Sequence, residues 1–273
     1  MRLRPETSLT LIVLVAVLLG CKNLTGNQAS NGNANSANAV ANKPKTNTNT
    51  ETTVQNDDGT IPSGTGTEKE KPAPGKGNVQ GKAFFNEQPA VGVEVKLCKT
   101  FNRFFGGCKG ETFTTKTDDA GEYLIKGVPP GIYEGLTVKV FNSPYYVFAT
   151  SGYVAAAKYN IEADKTYFAP DTNLFKNDLK VVSPKANAKV APDGLEVKWN
   201  AYPDAVYYKL SIYADTGSGA EPNYDFIGRR VDDVSVVVDK PLKPGSYSIK
   251  VESFNANDIK LAENDTQVKI SVK

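Results

Sequence analysis

From Asn78 onward the chain is written in short runs of alternating and β-branched residues: Val79 to Phe85, Val91 to Leu97, Thr112 to Thr117, Glu122 to Ile125 and Leu136 to Phe141. Turn formers separate the runs, among them Asp118-Asp119-Ala120-Gly121 and Pro129-Pro130-Gly131. A period of two, broken at close intervals by such residues, belongs to strands that each bury one face. No segment holds a helical period for long, and only Tyr153 to Ile161, with its alanines, is ambiguous. The fold class this predicts is all-β: two tandem β-sandwiches, the first of about seven strands.

Upstream the composition is different. Between Lys22 and Gly77 the residues are Asn, Thr, Ala, Gly, Ser and Lys with almost no large apolar side chain. A segment of this kind buries too little surface to offset its ordering entropy, so 21–77 reads as a disordered tether. Square-root scaling gives such a chain a reach of roughly 40 Å. The division expected is therefore 1–20 signal, 21–77 tether, 78–176 first sandwich and 177–273 second sandwich.

The first twenty residues carry Arg2 and Arg4, then an uncharged run from Thr7 to Gly20 rich in Leu, Ile and Val. The run is shorter than a comfortable membrane span but has the length of a signal-peptide core. It closes on Leu18-Leu19-Gly20-Cys21. This resembles the bacterial lipoprotein signal, which implies cleavage before Cys21 and attachment of diacylglycerol and an amide-linked acyl chain, such as palmitate, to that cysteine. Several acyl chains together make a firm anchor. Lys22, where an aspartate would favour inner-membrane retention, leans the resemblance toward the cell outer membrane, with the periplasmic or surface face open.

In the first sandwich, Val79-Gln80-Gly81-Lys82-Ala83 and Pro89-Ala90-Val91-Gly92-Val93-Glu94-Val95 are followed by Thr117-Asp118-Asp119-Ala120-Gly121-Glu122-Tyr123 and Gly127-Val128-Pro129-Pro130-Gly131-Ile132-Tyr133. This order resembles the carboxypeptidase regulatory-like domains, which implies a transthyretin-like (prealbumin-like) sandwich. In the second, Trp199, the run Ala205 to Leu210 and the run Leu242 to Tyr247 stand in the order of a fibronectin type III module. That resemblance implies an immunoglobulin-like sandwich with Trp199 in its core and Tyr247 tying a corner to the backbone.

With Cys21 lipidated, Cys98 and Cys108 remain as an even pair in an oxidising compartment. A metal site would lack histidine and further thiols, and a redox pair would sit closer together, so a structural disulfide is expected. The loop it closes holds Phe101, Arg103, Phe104 and Phe105. Two readings stay open for them: a binding loop of exposed aromatics, or aromatics folded back over the sandwich end. Tyr145-Tyr146-Val147-Phe148 is expected to be an alternating strand whose tyrosines belong to the core.

The composition also excludes chemistry. The chain has no histidine, which removes the commonest general base and metal ligand. It also removes the residues on which the one hydrolase of the transthyretin-like family depends. Lys plus Arg number 32 against 30 Asp plus Glu, a formal charge of +2, which disfavours nucleic acid as a partner. The carboxylate pairs Asp57-Asp58, Asp118-Asp119 and Asp232-Asp233 lack the further oxygen ligands calcium needs. The expectation is a non-enzymatic, lipid-anchored envelope protein with no cofactor and no metal. It would meet the membrane through its N-terminal lipid and a protein or glycan through its sandwiches, in adhesion or envelope-complex assembly. The alternative is a carbohydrate-binding accessory lipoprotein of a polysaccharide-capture system.

Overall fold

A computed structural model describes residues 55–102, 107–149 and 157–273, and these are almost entirely β. The first sandwich contains β1 (Thr60–Ile61), β2 (Gly77–Phe85), β3 (Gln88–Pro89), β4 (Glu94–Asn102), β5 (Gly107–Lys116), β6 (Glu122–Val128), β7 (Gly131–Tyr133), β8 (Gly135–Lys139), β9 (Tyr146–Phe148), β10 (Lys158–Ile161), β11 (Thr166–Phe168) and β12 (Thr172–Leu174). Here β2 is the hub of one sheet, pairing with β3, β6, β11 and β12. A second sheet runs β5-β4-β8-β9, and a third, smaller one runs β1-β10-β7. Between them lies a core that includes Val79, Val95, Leu97, Tyr123, Tyr133, Leu136, Val138 and Tyr159.

The second sandwich contains β13 (Lys176–Leu179), β14 (Val181–Ser183), β15 (Ala188–Val190), β16 (Glu196–Trp199), β17 (Tyr207–Ala214), β18 (Arg229–Val231), β19 (Ser235–Val237), β20 (Gly245–Phe254), β21 (Lys260–Asn264) and β22 (Val268–Val272). The sheet β14-β16-β19 faces a larger one in which β20 pairs with β17, β21 and β22. Trp199, Leu210, Ile212, Tyr247, Ile249 and Val251 fill the space between.

Both cores use the same corner. The Tyr133 hydroxyl donates to the Pro129 carbonyl at 2.9 Å, and the Tyr247 hydroxyl donates to the Lys243 carbonyl at 3.0 Å. Each reaches back four residues across a Pro-Gly step, so the strand entry is held by a buried phenol with a satisfied hydroxyl.

Several strands begin or stop where the backbone requires it rather than where the apolar run suggests. The run Val91 to Leu97 pairs only from Glu94, because Gly92 turns the chain at φ 69°. That turn leaves Val91 exposed. The run Leu136 to Phe141 stops at Lys139, since Phe141 lies at φ 47°.

The expectation of a disordered tether up to residue 77 is corrected over its last part. From Gln55 the chain lies along the first sandwich as a strap. Ile61 is buried, and its carbonyl accepts from the Tyr167 hydroxyl at 2.9 Å. Gln80 reads two backbone groups of the strap: its Oε1 accepts from the Lys69 amide at 2.9 Å and its Nε2 donates to the Thr67 carbonyl at 3.0 Å. Asn78 donates to the Glu70 carbonyl at 3.1 Å, and the Gly64 amide donates to the Phe168 carbonyl at 2.9 Å. Gly66 lies flat on the Phe168 ring, where a Cβ would come within 2.7 Å of it. The strap is ordered by polar groups that the sandwich offers, which a count of its own apolar residues does not register.

Lys69 also pairs with Glu122 at 2.7 Å, as does Lys82, and with Asp118. The Lys69 hydrogen bond, then that of Lys82, holds the Glu122 carboxyl below its ordinary 4.5. A depressed carboxyl stabilises the fold above that value and loses its contribution as pH falls through the lower one. Carbon-detected NMR titration should give Glu122 a midpoint below 4.5, moving upward in Lys69→Met. An unchanged midpoint in that variant would mean the strap is not seated on Glu122.

The sandwiches belong to one compact unit and meet through a hairpin tip. Asn86 and Glu87 form the two-residue turn between β2 and β3, at φ 48° and 64°. Both positions positive is the turn geometry that suits the twist of a tight hairpin, and it usually selects Gly or Asn. Glu87 accepts from Asn257 Nδ2 at 2.8 Å and from Asn255 Nδ2 at 3.2 Å, while Asn86 donates to Asp204 at 2.9 Å. Lys176, the first residue of β13, sits over the Phe85 ring at 4.7 Å.

Candidate functional site

The two cysteines are joined: Cys98 and Cys108 form a disulfide with Cα atoms 5.4 Å apart, across the pair β4–β5. Of the aromatic loop, Arg103, Phe104 and Phe105 lie outside the described residues, as does Cys21. Phe101 ends on β4 and is half-buried. Its ring meets Phe148 edge-on, with centroids 4.8 Å apart. It also covers Gly135, where a Cβ would come 2.9 Å from the ring and 3.1 Å from Cys98 Sγ. For Phe101 the folded-back reading holds: it seals one end of the sheet over the disulfide.

The expectation for Tyr145 and Tyr146 is reversed. They are 38% and 41% exposed. For Tyr146 the register explains why. Residues directly opposite one another share a face, so Lys116 on β5, Glu94 on β4, Lys139 on β8 and Tyr146 on β9 form one row on the outer face of this sheet. Val95 and Val138, one residue along, point into the core. The Tyr146 hydroxyl donates to Glu94 at 3.3 Å, and Lys96 Nζ lies 5.5 Å from the centre of its ring. Glu94, Lys116 and Lys139 also line a concavity of about 350 Å³ with Val91 and Asn142. Tyr145 donates to Asp265 of the second sandwich, so this row adjoins the junction. The strand β9 starts only at Tyr146, and pairing with β8 sets which side that residue faces; Tyr145 precedes the strand and is exposed as well.

The carboxylate pairs do local work. Asp58 accepts from the Thr60 amide and hydroxyl at 2.9 and 2.6 Å. Asp118 Oδ1 accepts from the amides of Ala120 and Glu122 at 3.0 and 2.9 Å, closing its turn. Asp232 pairs with Arg230 at 2.9 Å, and Asp233 accepts from the Val234 amide. Among the described residues no three metal-ligating side chains converge. Burial pushes the Tyr123 and Tyr159 phenols well above their ordinary range, so both remain neutral packing groups. The outer row and the neighbouring Lys96 together offer three lysines, one glutamate and an exposed aromatic face on a paired sheet.

The chain is an all-β protein of tandem sandwiches, and the comparisons go no further. No protein-family model matches it. No curated protein matches it either. Among solved structures, the chicken CNTN1 FN1–FN3 domains are 16% identical over 74% of this chain and 69% of that one, with a TM-score of 0.26. The fibronectin(III)-like modules of Clostridium thermocellum CbhA are 15% identical over 74% and 91%, at 0.28. The full-length major pilin SpaD of Corynebacterium diphtheriae is 14% identical over 74% and 64%, at 0.25. Similarity at this level assigns neither function nor partner.

Proposed function

We propose that the chain is a lipid-anchored, non-enzymatic envelope protein that presents its two sandwiches for adhesion or envelope-complex assembly. The observation that carries this reading is the order of parts: an apolar run closing on Cys21, a polar Asn/Thr-rich spacer, and a coupled pair of sandwiches. Lipid on Cys21 fixes one end at a membrane, in this reading the outer membrane. The spacer holds the folded part off the headgroups, and the strap transmits that attachment to the first sandwich. The first sandwich is of the carboxypeptidase regulatory-like kind and the second of the fibronectin type III kind. Their contact surface is the outer row Lys116–Glu94–Lys139–Tyr146, where no buried nucleophile or base is required.

In-cell crosslinking from the outer row tests this. A photoreactive residue at Lys139 is expected to trap a discrete envelope partner, and recovery of free monomer alone would contradict the assembly role. A second reading, that the partner is a glycan, is favoured by the exposed tyrosine faces, which suit the apolar face of a pyranose ring.

A further inference from the structure

The second sandwich carries a cavity remote in sequence from the outer row, where Pro222 to Asp225 meet the connection Lys240 to Lys243. It measures about 530 Å³, within the range of small-molecule sites. One rim is Tyr224, which is 81% exposed, the most exposed of the large hydrophobic side chains described. Exposure here does not come with a loose backbone. Tyr224 opens a single 3₁₀ turn, Tyr224–Phe226, capped by Asn223, whose Oδ1 accepts from the Asp225 amide at 3.2 Å. Two residues on, Phe226 is fully buried in the core, and Arg229 lies over its ring at 4.7 Å. The turn is thus anchored by one aromatic while the other is held in solvent.

The remaining walls are mixed: Pro222, Pro241 and Leu242 give apolar surface, and four charged side chains stand between them. Asp225 pairs with Lys240, and Glu221 pairs with Lys243 at 2.8 Å. All four of these side chains are exposed, so each keeps hydrogen-bonding capacity toward a ligand. The Tyr247 hydroxyl is engaged with the Lys243 carbonyl and fixes the cavity wall from within. The four charges cancel. A presented ring face, carboxylate acceptors beside ammonium donors and no net charge match a ligand that is apolar on one face and hydroxyl-rich at its edge.

We propose that this cavity is a saccharide subsite, which stacks a neutral pyranose on Tyr224 and hydrogen-bonds its hydroxyls through Asp225, Lys240, Glu221 and Lys243. The proposal rests on the glycan reading of the partner. A proline-rich peptide is the other class that uses exposed aromatics, but it is the weaker match because the walls supply four charged hydrogen-bonding groups and only one exposed aromatic face, Tyr247 being buried.

The test is calorimetric titration of the full chain in detergent with cellotetraose, maltotetraose, laminaritetraose and chitotetraose, and with a proline-rich peptide in parallel. At least one tetrasaccharide should bind. Tyr224→Ala should weaken it about tenfold or more, as expected for losing an aromatic stacking partner. Tyr224→Phe, which keeps the ring face, should bind nearly as well as the parent, and Lys240→Met should weaken binding. The melting temperature of Tyr224→Ala should match the parent, because the side chain stands mostly in solvent. Binding of no tetrasaccharide, binding indifferent to Tyr224→Ala, or binding of the peptide alone would overturn the proposal. Membrane fractionation and Lys139 crosslinking of Tyr224→Ala separate the two readings: if both match the parent, failure of the subsite leaves the anchored scaffold standing.

Discussion

Trp199→Ala is expected to cost about 3–5 kcal/mol, the usual range for truncating a buried tryptophan. Trp199 is buried on β16 and meets Tyr208 edge-on at 5.3 Å, between the two sheets of the second sandwich. Its indole N–H has no hydrogen-bond partner, so the loss comes from packing and the cavity left behind. Small domains are stable by only about 5–15 kcal/mol, which makes this one change a large fraction of the total. Urea unfolding followed by NMR should show the second sandwich's resonances shifting to a much lower midpoint. Those of the first core, around Val79 and Leu97, should move less. A midpoint within experimental error of the parent would mean that Trp199 is not the centre of that core.

Removing the disulfide should have the next largest effect, and on the other sandwich. Paired Cys98→Ala and Cys108→Ala is expected to destabilise it by about 2–3 kcal/mol on the loop-entropy account, for a sequence separation of ten. Alanine is the right replacement because Cys98 is fully buried under Phe101, where a serine hydroxyl would lack a partner. The strand pair β4–β5 should show the greatest rise in amide exchange. A non-reducing mass map of the parent should recover the two cysteines in one linked peptide. Two free thiols would remove the basis for the prediction.

What the sequence made legible followed from strong local rules. Alternation and turn residues give the all-β class, and the Pro-Gly step before Tyr247 marks its corner; the matching corner at Tyr133 is visible only in the structure. The even pair Cys98 and Cys108 points to its own bond. The misread parts depend on partners far along the chain. Residues 55–76 look like tether because their only large apolar residue is Ile61, yet Gln80, Asn78 and Tyr167 supply the contacts that seat them. Tyr145 and Tyr146 look like core because the run alternates, but the register Lys139↔Tyr146 places one of them on the outer face. Phe101 looks like a loop aromatic, and only the gap left by Gly135 shows why its ring folds inward. Tyr224 carries no signal at all in sequence. Its fixed, exposed position comes from a buried neighbour, Phe226, that anchors the turn on which it stands.

The central claim is that Cys21 anchors the folded pair to a membrane through lipid. Metabolic labelling with a palmitate analogue, followed by membrane fractionation of the parent and Cys21→Ser, tests it directly. The parent should carry label and sediment with the membranes, and Cys21→Ser should lose the label and leave that fraction or accumulate uncleaved. Equal membrane association of an unlabelled, processed Cys21→Ser protein would contradict the account.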